Sequence, residues 1–478
     1  MKKITLLPYL ILLPLLCNAK ITLPSILMDN MVLQQQTNVK LWGNANPNKI
    51  IRIFTSWNKK KYSSSSDNNG KWIISIPTPV AGGPYEIKIS DGEELTLKDV
   101  LIGEVWLCLG QSNMEMPMKG FEVDAIDGST DIILKAKAST PIRMYSGDYD
   151  KNGLTHQYSK VPLENCEGQW YTNTSENVAS TSATAYYFAK YLQEILDIPV
   201  GIVVSSWGGS RVEAWMSEES VKPFGIDLSH LLEGKELPKS IQRAPCLLYN
   251  ARIAPLLNFT FKGLLWNQGE DNSREPDKYQ ELLPAMVSDY RKKWGIGDFP
   301  FYYVELAPFS YDDPNKIDVA KFREMQLRLM KKIPNSGIVI TEDLGNPYTI
   351  HPGNKMDVGK RLAYWALAKD YGRKNIGYCT PTYKSIEIEG KRAYISFEGA
   401  DKGLFPVQKS LSSFEIAGQD KIFHQAEAII DYKTRKLAVW NDSIANPVAV
   451  RYTFKNYSEA SLFDFYGLPV ALFRTDKW

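Results

Sequence analysis

Residues 103–116 read GEVWLCLGQSNMEM. The stretch VWLCLG is short and continuously apolar, as a strand covered on both faces must be. It stops at Gly110. Gln111, Ser112, Asn113 and Met114 follow, placing one hydroxyl between two amides. A tight turn would account for this. So would a nucleophile held at the end of a buried strand, and the surrounding sequence has to separate the two.

Working outward, the pattern repeats. IPVGIVVSSWGG (198–209), FKGLLWNQGE (261–270), FPFYYVEL (299–306) and SGIVITEDLG (336–345) are further apolar runs. Between and after them lie amphipathic stretches with helical spacing: TSATAYYFAKYLQEIL (181–196), KYQELLPAMVSDYRKKWG (278–295), VAKFREMQLRLMKKI (319–333) and KMDVGKRLAYWALAKDYG (355–372). Strands alternating with such helices predict an α/β unit over 101–375, a parallel sheet with helices on both faces. On either side the text changes. VKLWG, IIRIFTSW, KWIISIP and YEIKIS, broken by NANPN, SSSSDNNG and AGGP, predict an N-terminal β region over 20–100. YKSIEIEG, RAYISFEG, LSSFEIAG and KLAVWND predict another over 376–478. Both are expected to be β-sandwich-like.

The bulk numbers exclude some functions. The 478 residues carry 56 Lys+Arg against 54 Asp+Glu. So even a balance implies no field for nucleic acid. The first residues, two lysines followed by TLLPYLILLPLL and CNAK, form a basic and then an apolar stretch ending near Ala19. This is the pattern of a cleaved export signal over 1–19, and it is too short to span a bilayer. Export to the periplasm or the exterior is expected, with no membrane span in the mature chain. Leu16 stands where a lipoprotein signal needs a small residue, which argues against anchoring through Cys17. The four remaining cysteines, 108, 166, 246 and 379, show no paired spacing, so no zinc site is expected. Export would permit disulfides, whose pairing the spacing does not specify.

In an open α/β sheet the ligand lies beyond the carboxyl ends of the strands. The polar surprises fall there: GQSNM with Ser112, SSWGGSRVEAW with Gly209 and Arg211, WNQGEDN with Asn267, Gln268 and Glu270, and TEDLGNPYTIHPGNK with Asp343 and His351. Acyl transfer needs a hydroxyl, a base, and donors aimed at one oxyanion. Ser112 supplies the first. Of the four histidines, only His351 follows a late strand of the parallel sheet, which makes it the candidate base. Backbone N–H groups of Ser112 and Gly209, with an amide from Gln268 or Asn267, could form the oxyanion hole. Glu270 and Arg211 are further substrate-binding candidates, Arg211 as a contact for a substrate carboxylate, or else they form a structural ion pair with each other. Each piece alone also reads as an ordinary turn or a solvated strand end. The combination, at successive strand ends, does not.

These blocks carry a resemblance. LPSILMDNMVLQQ, GEVWLCLGQSNMEMPM, WNQGEDN, IHPGNKMDVGKRLA and YGLPVALFRTDKW together resemble the sialate O-acetylesterase family, within the SGNH/GDSL hydrolase superfamily. The resemblance covers nearly the whole chain. It implies an SGNH-type, flavodoxin-like sheet and hydrolysis of sugar O-acetyl esters without a metal or other cofactor. It also implies that Ser112 is the nucleophile, His351 the base, and Gly209 and Gln268 oxyanion donors. O-acetylated sialic acids are the first substrate expectation, acetylated xylan or xyloglucan the second. A sugar-binding protein without activity is a third reading, opposed by the intact set of residues. The chain departs from the pattern at one place. Many SGNH enzymes carry an aspartate three residues before the histidine, where this chain has Tyr348, and many relatives read D-I-H-P, where it has Thr349. Asp343 is then the first choice for the supporting acid, ahead of Glu342, with a Ser–His dyad as the alternative. Oligomeric state is not legible.

Overall fold

The computed structural model describes residues 21–147, 149, 150, 153, 154, 156–431 and 436–478. The expected export signal lies outside them. The centre is a sheet of seven strands: β1 (Glu94–Gly110), β2 (Ile142–Ser146), β3 (Gln169–Thr172), β4 (Val200–Ser206), β5 (Gly263–Asn267), β6 (Phe301–Val304) and β7 (Ser336–Val339). Their spatial order is β3-β2-β4-β1-β5-β6-β7. All neighbours run parallel except β3, which lies antiparallel on β2. The α/β reading therefore holds. The sequence reading missed β2 and β3 because they lie outside the long apolar runs. In IRMYS the inward Arg143 is polar, and it is held by Asp99 at 3.1 Å.

β1 shows why the sheet is covered on both sides. From Val100 to Gly110 every residue is buried. Val105, Leu107 and Leu109 enter one core with Tyr279, Leu282, Phe322 and Met325. Trp106 and Cys108 enter the other with Phe188, Leu192, Leu362 and Ala366. The alternation of side chains along a strand sorts them to opposite faces. The first face carries helices α3 (Pro276–Trp294) and α4 (Asp318–Leu329). The second carries α2 (Ala183–Leu196) and α5 (Lys355–Lys369). A single turn, α1 (Ser112–Glu115), follows β1.

β1 is 17 residues long and belongs to two structures at once. Its first half pairs antiparallel with Gly82–Ser90, which in turn pairs with Ile50–Thr55. Its second half is the middle of the parallel sheet. The expected boundary between residues 100 and 101 thus falls inside one continuous strand. At the other end, two four-stranded sheets built from 382–474 enclose a separate core of Ala393, Ile395, Phe414, Leu437, Val450 and Tyr452. This matches the expected flanking β region. Cys108, Cys166, Cys246 and Cys379 are all free thiols. No described helix is long and apolar enough to cross a membrane.

Candidate active site

Three strands end level with one another. Gly110 of β1 is in register with Ser206 of β4 and with Asn267 of β5. The loops carrying Ser112, Gly209 and Gln268 therefore leave the sheet side by side. A side chain at Gly110, where φ is 152°, would place its Cβ 2.1 Å from the Asn267 carbonyl oxygen. Only glycine lets β1 and β5 stay this close at the point where the chain turns.

Ser112 opens α1. The N–H groups of Met114 and Glu115 donate to the Gln111 carbonyl, and Gln111 Oε1 accepts from Gly269 N at 3.1 Å. From α2, the Ser182 hydroxyl donates to the Met114 carbonyl at 2.5 Å, and that of Thr184 to the Asn113 carbonyl at 3.0 Å. The turn is thus tied to β5 and α2 together. Among the described residues, the Ser112 hydroxyl and the backbone N–H groups of Ser112 and Gly209 have no hydrogen-bond partner. Gly209 has φ 67°, and the adjacent Gly208 lies against the Ser112 side chain.

His351 sits in the loop between β7 and α5. Its Nδ1 is 2.8 Å from Asp124 Oδ2. The other carboxylate oxygen of Asp124 accepts the Thr349 hydroxyl at 2.6 Å, and Thr349 Oγ1 accepts from His351 N at 3.0 Å. Phe121 meets the imidazole edge to face at 5.3 Å. Burial works to raise the Asp124 carboxyl. Hydrogen bonds from Thr349 and His351, with the electrostatic pull of His351 and Lys355, carry it below its ordinary value. An ionised Asp124 holds the Nδ1 proton toward itself and leaves Nε2 as the acceptor.

The expectation for Asp343 is corrected here. Its two oxygens accept a bidentate pair from Arg361 at 2.7 and 2.6 Å. Arg361 also donates to the Ile340 carbonyl at 2.8 Å. Asp343 therefore clasps α5 to the end of β7 and does not face His351. Glu342 points the other way, into Arg323 at 3.3 Å. The acid beside His351 comes from the loop FEVDAIDG, far earlier in the chain. No spacing rule would have found it, and the one available signal was negative: the missing aspartate at 348–349.

The other candidates divide. Both N–H groups of the Gln268 amide are engaged, with Ser210 O at 2.9 Å and Asn272 Oδ1 at 2.8 Å. The side chain is wholly buried. It braces the Gly209 loop and has no N–H left for an oxyanion, contrary to expectation. Asn267 makes one such bond, to the Asn113 carbonyl at 3.3 Å, and keeps a second N–H. Glu270 accepts from Asn113 Nδ2 at 2.6 Å. It is not the mate of Arg211, which pairs with Glu275 and approaches Glu213 at 3.5 Å.

A second histidine–carboxylate pair lies nearby and was not foreseen. His156 Nε2 is 3.3 Å from Glu115 Oε1, while Glu115 Oε2 accepts from Gly208 N at 2.5 Å. Arg252 approaches His156 Nδ1 at 3.2 Å. The imidazole also stacks on Trp207 at 4.3 Å. Both ring nitrogens are engaged, so His156 has no lone pair to offer a serine. Its geometry supports the loop around Gly208.

A hydroxyl, an oriented imidazole, an ionised acid and unpaired N–H donors at one sheet edge suit acyl transfer. Comparison with known proteins agrees. The family model for carbohydrate esterase, sialic acid-specific acetylesterase, matches residues 102–368. The chain is similar to a carbohydrate acetylesterase from Xanthomonas citri of known structure, with 34% identity and a TM-score of 0.84, over 96% of this chain and 100% of that one. It is similar to sialate O-acetylesterase of Homo sapiens, 29% identical over 76% of this chain and 74% of that protein. The Mus musculus protein of the same name is 26% identical over 90% and 89%.

Proposed function

The chain belongs to the sialic acid-specific acetylesterase family of carbohydrate esterases, and from that premise we propose that it removes acetyl groups from sugars through an acetyl-Ser112 intermediate. It is a carboxylic ester hydrolase, and the coarse chemistry is that of the family. The observation that carries the mechanism is the 2.8 Å contact between His351 Nδ1 and Asp124. It fixes the tautomer in which Nε2 accepts the Ser112 proton. The freed oxygen attacks the acetyl carbonyl. The oxyanion is met by the N–H groups of Ser112 and Gly209 and the remaining Asn267 N–H. His351 then passes its proton to the departing sugar alcohol, and in the second half takes one from the water that hydrolyses the acetyl-enzyme.

Ser112→Ala should lower acetate release from 4-nitrophenyl acetate by at least about 10⁴-fold, the scale on which such a unit fails when one member is removed. Activity within about tenfold of the unchanged enzyme would overturn the assignment. An inert chain that binds sugars without cleaving them would show no Ser112-dependent turnover at all.

The family description points to O-acetylated sialic acids. One observation favours a neutral sugar. A sialate carboxylate needs a cation, and the Arg211 guanidinium, at the loop nearest Gly209, is already paired with Glu275 and Glu213. Acetylated xylan or xyloglucan needs no such partner. Acetate release measured side by side on acetylated sialosides, xylan and xyloglucan decides between them. Export, read from the first 19 residues, accords with a substrate outside the cytoplasm.

A further inference from the structure

We infer that Asn113 is an orientation-locked amide that keeps the Ser112 turn and the His351 loop in register, and that Glu270 and Lys355 are positioning residues that set which way the amide points. The inference rests on the reading of Ser112 and His351 as the reacting pair. Asn113 follows the nucleophile directly and is 6% exposed. Its Nδ2 donates to Glu270 Oε1 at 2.6 Å and to the carbonyl of Ile350, the neighbour of His351, at 3.1 Å. Its Oδ1 accepts from Lys355 Nζ at 2.5 Å. Turning the amide over would put its NH₂ against an ammonium and its oxygen against a carboxylate and a carbonyl. All three contacts would become repulsive, so only one orientation is allowed.

The arrangement draws one group from each of four places: α1, the loop after β5, the histidine loop, and the first turn of α5. The backbone of Asn113 is held as well, its carbonyl accepting from Thr184 and Asn267. Lys355 is 2% exposed, and burial pushes its ammonium down to about 8. Burial pushes the Glu270 carboxyl up, opposed by the Asn113 hydrogen bond. Glu270 Oε2 is buried without a hydrogen-bond partner among the described residues. Ionisable groups buried in this way are poor investments in stability. Their geometry makes sense as orientation of a nucleophile's neighbour.

The test is a swap. In Asn113→Asp the amide donor becomes an oxygen facing Glu270 and Ile350 O, and the Ser112 turn should shift. kcat for 4-nitrophenyl acetate should fall about 100-fold with KM within about threefold, the scale of a small misplacement of reacting groups. Adding Glu270→Gln supplies an N–H toward the new carboxylate, which then faces Lys355 with the net charge restored. The double variant should recover at least about tenfold in kcat over Asn113→Asp, a coupling expected only of residues acting in one network. A double variant no more active than the single, or an Asn113→Asp enzyme within about threefold of the unchanged one, would overturn the lock. Turnover is normalised to folded protein by circular dichroism. If Asn113→Asp does not fold, Lys355→Gln decides: a loss of about tenfold or more in kcat at unchanged KM supports the lock, and unchanged kcat overturns it. Ser112→Ala is assayed alongside. Turnover surviving in that variant sinks the nucleophile assignment, whereas a dead Ser112→Ala with a failed swap sinks only the lock.

Discussion

Thr349 stands at the position where the D-I-H-P resemblance led one to expect an acid, and it hydrogen-bonds to the acid beside His351, Asp124, at 2.6 Å. The carboxylate has come from another loop while the histidine has kept its place. Ser112, Gly209 and His351 were legible as candidates because each lies past a strand end and acyl transfer asks for its residue type. Asp124 was not, because an orienting acid needs only to reach Nδ1 and can be delivered from any loop that folds over the histidine. Gln268 misled for the opposite reason: its block is in the right place, but its amide is engaged by Ser210 and Asn272. The residue-scale prediction follows. Asp124→Asn should lower kcat by at least about 100-fold with KM little changed, since the wrong tautomer of His351 is then favoured. Restoring a carboxylate in the double variant Asp124→Asn/Thr349→Asp should recover about tenfold or more, because the Thr349 side chain already lies on the same side of His351. A loss smaller than about tenfold in Asp124→Asn would mean that a Ser–His dyad suffices.

Elements were read more securely than residues. Four helices and five strands of the α/β unit follow from apolar runs of the right length and from helical spacing, since both faces of the sheet must be covered. β2 escaped because the buried Arg143 interrupts its apolar signal, and β3 because QWYT is short and partly polar. The boundary at 100/101 was drawn where composition changes, yet hydrogen bonding continues through it along β1. Asp343 belongs at this scale. Its bidentate pair with Arg361 joins the end of β7 to α5, the helix that begins just after His351. Asp343→Asn should therefore cost about 2–4 kcal/mol of stability, as expected when one partner of a largely buried pair is neutralised. Thermal unfolding would register it as a lowered Tm. kcat at a temperature where the protein is still folded should stay within about threefold. A 100-fold fall in kcat with an unchanged Tm would return Asp343 to the role first given it.

At the scale of the whole molecule, the catalytic sheet and the C-terminal β region meet through buried charge. Arg323 of α4 is fully buried and faces Glu342 at 3.3 Å, and its guanidinium donates to the carbonyls of Thr453 and Lys455 in the C-terminal region. Glu305 accepts from Thr341 N at 3.0 Å and lies within electrostatic reach of both Arg323 and Glu342. Burial pushes Glu342 up to about 7 against the pull of Arg323. Burial and the neighbouring charge of Glu342 push Glu305 up as well. The folded protein thus holds these protons more tightly than the unfolded chain. Their stabilising contribution is complete in acid, below the ordinary carboxylate value of about 4.5, and declines as pH rises toward about 7. The slope is set by the proton released on unfolding. For Glu342 alone the decline is on the order of 3 kcal/mol. Glu342→Gln removes one of these titrations and should flatten the fall in Tm between about pH 4.5 and pH 7, while leaving the Ser112 chemistry in place. Unfolding scans of the two proteins across that range measure it. Parallel Tm curves would show that Glu342 is ionised throughout. The loss of stability with rising pH would then rest on Glu305, and Glu305→Gln should flatten the curve instead.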